Sequence, residues 1–135
     1  MVKDLEKYLS DINFEKQLDY LKKKIKNSPV IVYGVGKLFQ TIKSKYDISW
    51  LNVLAVSDAS FFEEDEFLDY KAIPPDNMYN YSPEYVLVAT LKYESIIDYI
   101  VVKYFKTNST KVIPLCKPTL KSILKDFFRN IILNT

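Results

Sequence analysis

The strongest constraint in this sequence is segment 30–36, where an apolar run ends at two glycines. The run from Val30 to Tyr33 is rich in β-branched residues and apolar on both faces, as in a buried parallel strand. Gly34 and Gly36 follow it, and they are the only glycines in 135 residues. A chain with so few glycines uses them where the backbone needs them. The segment therefore predicts a buried strand, a tight turn and a helix that begins at Lys37.

Length and composition indicate one folded unit. A chain of 135 residues, 48% hydrophobic and 27% charged, has globular composition and the commonest size of a single domain. We expect one domain with an N-terminal helical segment (1–27), a core of alternating strands and helices (28–116) and a C-terminal helix (118–133).

Apolar periodicity alternates along the core. Strands are predicted at 30–33, 51–57, 71–73, 85–89 and 111–115, and helices at 37–45 and 96–104, after one broken or two short N-terminal helices. The acidic stretch 58–70 is predicted as a loop with a helical turn at 63–68. The pattern predicts an α/β fold of three layers, with a parallel five-stranded sheet in the order 3-2-1-4-5 and helices on both faces. Pro114 places the last strand at an edge because proline lacks a donor.

Two boundaries of the helical segments follow from local chemistry. Asn13 is positioned to cap the second N-terminal helix, and Pro29 ends that helical region. Pro118 suits the first turn of the C-terminal helix. The apolar stripe of that helix comprises Leu120, Ile123, Leu124, Phe127, Phe128 and Ile131.

The predicted strand order reverses direction between the first strand and the strand at 85–89. Ligands of open α/β sheets bind outside the carboxyl ends of the strands at such a point. The mouth of a site is thus predicted where Gly34 to Lys37 face Thr90 to Tyr93. Thr90 has two open interpretations, contact with a ligand or capping of the next helix.

The glycine turn has the features of a phosphate-binding turn. Glycines let an anion approach the backbone amides at a helix N-terminus, where the dipole is positive. The predicted amide donors are those of Gly34, Val35, Gly36, Lys37 and Leu38. The alternative is a tight strand-to-helix turn without a ligand.

Phe39 departs from the GxGxxG pattern, because it stands where that pattern has its third glycine. A phenylalanine there either pushes the helix away from the sheet and widens the turn, or fills the space of a pyrophosphate. Both interpretations stay open from the sequence.

Asp58 follows the second strand, about 20 residues after the turn, where a carboxylate accepts hydrogen bonds from a ribose diol. Because a carboxylate repels a 2′-phosphate, this residue favours NAD or a nucleoside over NADP. The alternative is that Asp58 caps the following turn with its side chain.

Five segments of the chain form a recognisable set: IVYGVG at 31–36, VLAVSD at 53–58, AIPP at 72–75, YVLVAT at 85–90 and KVIPL at 111–115. Together they resemble the Rossmann-like domains attached to bacterial sugar-modifying enzymes of surface-glycan synthesis. The resemblance implies a domain that binds NAD or a nucleotide-sugar without catalysis of its own, beside an attached catalytic domain or as a homo-oligomer. The alternative is a degenerate module that acts through protein contacts.

Other chemistry finds little support. The chain has no histidine, which excludes histidine-based triads and metal sites, and its single Cys116 leaves no disulfide. Tyr99 and Lys103 have a spacing used for proton transfer, but such spacing arises by chance in a chain rich in both residues. The acids at 63–66 are interpreted as a solvated loop. We predict no catalytic and no metal-binding residues.

Charge and hydropathy predict the remaining partners. Lysine and arginine exceed the acids by only two, with mixed signs along the chain, so nucleic acid is not predicted as a partner. The lysines at 22–24 and 26 are interpreted as a solvated helix face. No apolar run is long enough to span a membrane. A small nucleotide ligand, no membrane insertion and a cytoplasmic location are therefore expected.

Overall fold

The computed structural model of the chain describes residues 4–107 and 109–119. The helices are α1 (Leu5–Asp11), α2 (Phe14–Ile25), α3 (Lys37–Lys45) and α4 (Tyr93–Tyr104), with a 3-10 helix at Pro75–Tyr81. The strands are β1 (Pro29–Tyr33), β2 (Asn52–Ser57), β3 (Asp65–Phe67), β4 (Tyr70–Ile73), β5 (Tyr85–Val88) and β6 (Lys111–Pro114). The stripe of the predicted C-terminal helix lies outside the described residues.

The strands form one sheet in the order β3-β4-β2-β1-β5-β6. All pairs are parallel except β3 with β4. The five predicted strands keep their predicted order, so the α/β fold class is confirmed, and β6 lies at an edge as expected. The sixth strand, β3, extends the opposite edge.

Strand β3 corrects the prediction of a loop with a helical turn at 63–68. A hairpin with a two-residue loop, Leu68 and Asp69, returns the chain into β4, and both residues have positive φ, 51° and 68°. Two positive φ angles are typical of a type I′ hairpin turn, which usually carries Asn-Gly or Asp-Gly. The turn was missed because neither of these residues is a glycine.

The two faces of the sheet have separate cores. Val30 and Val32 of β1 pack with the helices α1, α2 and α3 on one face. Ile31 and Tyr33 pack with the 3-10 helix and α4 on the other. Successive side chains of a strand alternate between faces, which is why a run apolar throughout is covered on both sides.

Asn13 separates α1 from α2 by its backbone conformation. It stands at the N-cap position of α2 with φ of 53°, and its side chain makes no capping bond. Asparagine tolerates this left-handed conformation better than most residues. The predicted position is therefore right and the predicted side-chain cap is wrong. Among the described residues, no helix is long and apolar enough to cross a membrane.

Candidate functional site

The first half of the glycine turn consists of Gly34 and Val35. Its conformation is required by the fold. Gly34 has φ of +100°, a conformation that side chains disfavour. A Cβ at this position would lie 3.0 Å from both the carbonyl oxygen of Ala89 and Cγ2 of Thr90. Gly34 therefore permits the close approach of the turn to the end of β5. Of the two segments predicted to face each other, 34–37 and 90–93, Gly34 and Thr90 lie side by side.

Three hydrogen bonds fix the conformation of this half. The Gly34 amide donates to the Ser57 carbonyl oxygen at 2.9 Å, and the Val35 amide donates to Oδ2 of Asp58 at 3.0 Å. The Gln40 side-chain amide donates to the Val35 carbonyl oxygen at 2.9 Å. The turn is thus held from β2 and from α3, and it is preorganised without a ligand.

The second half of the glycine turn begins at Gly36 and continues into the first residues of α3. It is open to solvent at Gly36. Gly36 has φ of −74° and is exposed, so its backbone conformation does not require glycine. A Cβ on Gly36 would meet nothing within 4 Å, apart from the two neighbouring residues of the chain. Neither backbone strain nor packing within the described residues explains a glycine here.

The open half also carries the unpaired amides. Gly36 is the N-cap of α3 and no side chain caps this helix, so the amides of its first turn have no partner among the described residues. Five amide donors were predicted, from Gly34 to Leu38. Those of Gly34 and Val35 are already engaged, which corrects that prediction. The free donors begin at Gly36 and continue through Lys37 and Leu38.

Asp58 holds two turns together. While Oδ2 accepts from Val35, Oδ1 accepts from the Ser60 amide at 2.9 Å and from the Ser60 hydroxyl at 2.8 Å. The capping role considered from the sequence is therefore confirmed. The carboxylate is half-buried and lies beside the glycine turn.

Phe39 belongs to the hydrophobic core. Its side chain is fully buried under α3, and its ring centroid lies 6.0 Å from that of Tyr70. The space over Gly36 is not filled by this ring, because nothing lies within 4 Å of the Cβ position there. The interpretation of Phe39 as a plug is therefore wrong.

Thr90 presents an oxygen without a partner. Its Oγ1 atom is buried and has no hydrogen-bond partner in the described part of the chain. The N-cap of α4 is Lys92, so Thr90 does not cap this helix. A buried hydroxyl without a partner costs about 1–3 kcal/mol. Its position against Gly34 makes it a polar group at the mouth of the site.

Tyr33 was missed by the sequence analysis. It ends β1 on the α4 face, and burial, followed by the charge of Asp58 and then by Tyr99, raises the pKa of its phenol. The phenol is therefore neutral and able to donate near the Asp58 carboxylate. The sequence signal for Tyr33 is the alternation of side chains along β1, which places Tyr33 on the face of the sheet opposite α3.

The remaining candidates lie on α4 and directly after β6. Lys103 Nζ donates to the Tyr99 hydroxyl at 2.8 Å on an exposed face of α4, and this bond is the main cause of the lowered pKa of Tyr99. Burial raises the pKa of Cys116 to about 12, so this thiol is a poor nucleophile. Within residues 4–107 and 109–119, no group of three or more His, Cys, Asp or Glu is placed to hold a metal.

Comparison with solved structures supports the fold. The crystal structure of RSP in complex with β-NAD⁺ and operator DNA matches with a TM-score of 0.50 and 13% identity, covering 87% of this chain and 64% of that chain. The crystal structure of RSP, a Rex-family repressor, matches with a TM-score of 0.50 and 14% identity, covering 87% and 66%. The chain thus spans just under two thirds of their length. The likeness shows a Rossmann-like α/β fold. No protein family and no curated protein match the chain.

One sequence-based expectation needs correction. Nucleic acid was excluded as a partner because the net charge is only +2. One of the two solved structures named above contains operator DNA, and this finding overturns the exclusion. Net charge over a whole chain is a weak criterion, since phosphate contacts depend on a local cluster of cations.

Proposed function

We propose that this chain is a nucleotide-binding domain, and that the glycine turn holds the phosphates of a dinucleotide of the NAD class. The observation that carries the proposal is Gly36. This glycine is explained neither by its φ angle nor by packing, and it leaves open space over the uncapped start of α3. A phosphate occupies such a space because it accepts hydrogen bonds from the free amides and is stabilised by the helix dipole.

The other residues around the turn complement this ligand. The exposed ammonium of Lys37 adds positive charge at the start of α3. Oδ2 of Asp58, which accepts one hydrogen bond, retains accepting capacity for a ribose hydroxyl, and the charge of the carboxylate disfavours a 2′-phosphate. The unpaired Oγ1 of Thr90 hydrogen-bonds the half of the ligand that extends towards β5. The proposed binding residues are Gly36, Lys37, Leu38, Asp58 and Thr90, with Gly34 and Val35 shaping the turn.

The solved complex with β-NAD⁺ supports NAD as the first ligand to test. A nucleotide-sugar is the second, because it carries the same diphosphate. The link to surface-glycan synthesis rests on the sequence resemblance alone, since both solved structures are of a repressor.

The test is calorimetric titration and thermal unfolding of the full chain with NAD⁺, NADH and a UDP-sugar. A ligand at 100 times its dissociation constant should stabilise the fold by about 2.7 kcal/mol. The decisive variant is Gly36→Ser, since a serine hydroxyl at the N-cap position competes for the amides while stabilising α3. We expect Gly36→Ser to keep the stability of the free protein and to lose the ligand response.

Two controls complete the test. Gly36→Ala adds the same Cβ without a hydroxyl, so it separates steric blocking from competition for the amides. Ser44→Ala removes an exposed hydroxyl at the other end of α3 and should leave binding unchanged. Absence of a response to every ligand would overturn the proposal and favour a module that acts through protein contacts.

A nucleic-acid partner is the second proposed function, and the complex of RSP with operator DNA is the observation that favours it. Fluorescence anisotropy with a labelled duplex, at low and high salt and with or without NAD⁺ or NADH, tests it. Specific binding should weaken steeply with salt and depend on the nucleotide. Equal, weak binding to all duplexes under all conditions would contradict it.

A further inference from the structure

Phe62 is the most exposed large hydrophobic side chain among the described residues. Its ring is 89% exposed, and unlike Tyr20, the next most exposed, it has no polar atom that favours water. Burial of a phenylalanine is favourable, so a partner that covers this ring is stabilised by the contact. A single exposed apolar residue is common at protein surfaces. The inference therefore depends on where Phe62 lies.

The loop that carries Phe62 is fixed on both sides of it. Before it, the Phe61 amide donates to the Asp58 carbonyl oxygen at 3.0 Å and closes a tight turn. The Phe61 side chain packs against the core on the α3 face, with its ring centroid 6.0 Å from that of Phe67. After it, β3 begins at Asp65. Of two successive phenylalanines, only the first contributes to the core, and the second is held in solvent.

The turn that precedes Phe62 lies beside the glycine turn. Oδ2 of Asp58 accepts from the Val35 amide at 3.0 Å, so the two turns are joined directly. Phe62 follows Asp58 by four residues, which span at most about 14 Å of extended chain. The hydrogen bond between Phe61 and Asp58 shortens that path further. Phe62 is therefore close to any ribose that Asp58 holds.

The strand order separates the two ends of a ligand bound at the glycine turn. Strands β2 and β5 flank β1, so Asp58, after β2, and Thr90, after β5, lie on opposite sides of this turn. A ligand with its phosphates at Gly36 extends from there in both directions. Phe62 belongs to the β2 side, where Asp58 is the proposed ribose contact. The group next to that ribose is the base of the nucleotide.

The charges next to Phe62 restrict what can cover its ring. The four acids at 63–66 are all exposed, and within the described part of the chain only Glu64 has a cation nearby, with Lys71 Nζ at 3.9 Å. Negative charge at this density repels a nucleic-acid backbone or an anionic membrane surface. A nucleobase is planar and uncharged, so it covers the ring without this repulsion.

We propose that Phe62 stacks on the base of the bound nucleotide and makes the site selective for purines. This inference rests on the proposed nucleotide site at the glycine turn. Every base has a face that stacks on an aromatic side chain, and a purine presents a larger face than a pyrimidine. Nucleotides with an adenine base therefore bind more tightly than their uracil counterparts.

Calorimetric titration of the full chain with ADP-glucose and UDP-glucose, which differ only in the base, tests this. The wild type should prefer ADP-glucose. Phe62→Ala should weaken ADP-glucose binding by about 5- to 150-fold and reduce the preference. Its melting temperature without ligand should not change, because the ring is exposed. The matched control Tyr20→Ala removes an exposed ring on α2 and should leave both affinities unchanged. Equal binding of ADP-glucose by Phe62→Ala and wild type would overturn the proposal.

Fluorescence gives a direct readout of stacking. Trp50 is the only tryptophan of the chain, so Phe62→Trp combined with Trp50→Phe places a single indole at the proposed platform. ADP-glucose should quench this indole as it binds. Saturable binding without quenching would overturn the stacking proposal and leave the site at the glycine turn intact. If the wild type binds neither nucleotide, the proposed nucleotide site fails, and the role of Phe62 fails with it.

Discussion

The two halves of the glycine turn use the same residue type for opposite purposes. Gly34 lies in filled space, where a side chain would meet Ala89 and Thr90 at 3.0 Å. Gly36, two residues later, lies in open space at a φ that other residues adopt. The first glycine is explained by the fold alone. The second is required neither by its φ angle nor by packing among the described residues, which is why the proposal of ligand binding rests on Gly36 and not on Gly34.

The hydrogen bonds divide along the same line. In the first half of the turn, the closed half, the amides of Gly34 and Val35 donate hydrogen bonds to Ser57 and Asp58. In the open half, the amides at the start of α3 have no partner among the described residues. Rigid support beside free donors is the arrangement that preorganisation requires, since little order is lost when an anion binds.

The largest effect is expected where the core supports the open half. Phe39→Ala should lower the free energy of unfolding by about 3–5 kcal/mol, because it empties a fully buried site beneath α3. Urea denaturation measures this loss. Phe39→Leu keeps most of the volume and should still bind ligand as the wild type does. Tighter binding by Phe39→Leu would mean that the ring restricts the phosphate space after all.

Alanine substitutions at Gly34 and at Gly36 test the difference between the two halves of the turn. Gly34→Ala should destabilise the fold by about 1–3 kcal/mol, since it combines backbone strain with two close contacts. Gly36→Ala should change stability by less than about 1 kcal/mol, because a small gain in backbone entropy opposes a weaker cap. Urea denaturation of both variants without ligand measures the difference. Equal losses would abolish the distinction between the two halves.

The fold was predictable from the sequence because its signals are local. Buried strands show as apolar runs and α3 shows as helical spacing, so five strands and their order followed from the pattern. The β3–β4 hairpin did not, since its turn residues, Leu68 and Asp69, adopt positive φ without glycine.

The site was harder to predict because its details depend on tertiary contacts. Whether an amide in the turn is free depends on Ser57 and Asp58, which are more than 20 residues away along the chain. The direction of the Phe39 ring likewise depends on packing against Tyr70. The sequence predicted the turn correctly, but it could not separate the two glycines.

A smaller effect is expected for substitution of Asp58, which accepts a hydrogen bond from Val35 in the closed half. Asp58→Ala removes the acceptor for Val35 and Ser60, and should lower stability by about 1 kcal/mol, because the group is half-exposed. It should also weaken ligand binding. Asp58→Asn keeps one acceptor oxygen and should lie between alanine and wild type in stability. Calorimetric titration beside urea denaturation measures both effects. Unchanged stability in Asp58→Ala would show that the closed half does not need this support.

The smallest effect concerns Tyr33 at the base of the closed half, and it emerges only at high pH. Burial first, and then the charge of Asp58, raise the pKa of this phenol above its ordinary value of 10.0. The folded state therefore keeps the proton that the unfolded chain loses. The stabilisation is complete below about pH 10 and is lost as the pH rises through the raised pKa.

Tyr33→Phe should change stability little at neutral pH, by less than about 0.5 kcal/mol. It should reduce the loss of stability between about pH 8 and about pH 10.5, because a phenylalanine has no proton to release. Urea denaturation of both proteins at the two pH values measures the difference. An identical loss in Tyr33→Phe and wild type would mean that this phenol ionises as readily in the folded turn as in the unfolded chain, and that the closed half is open to water.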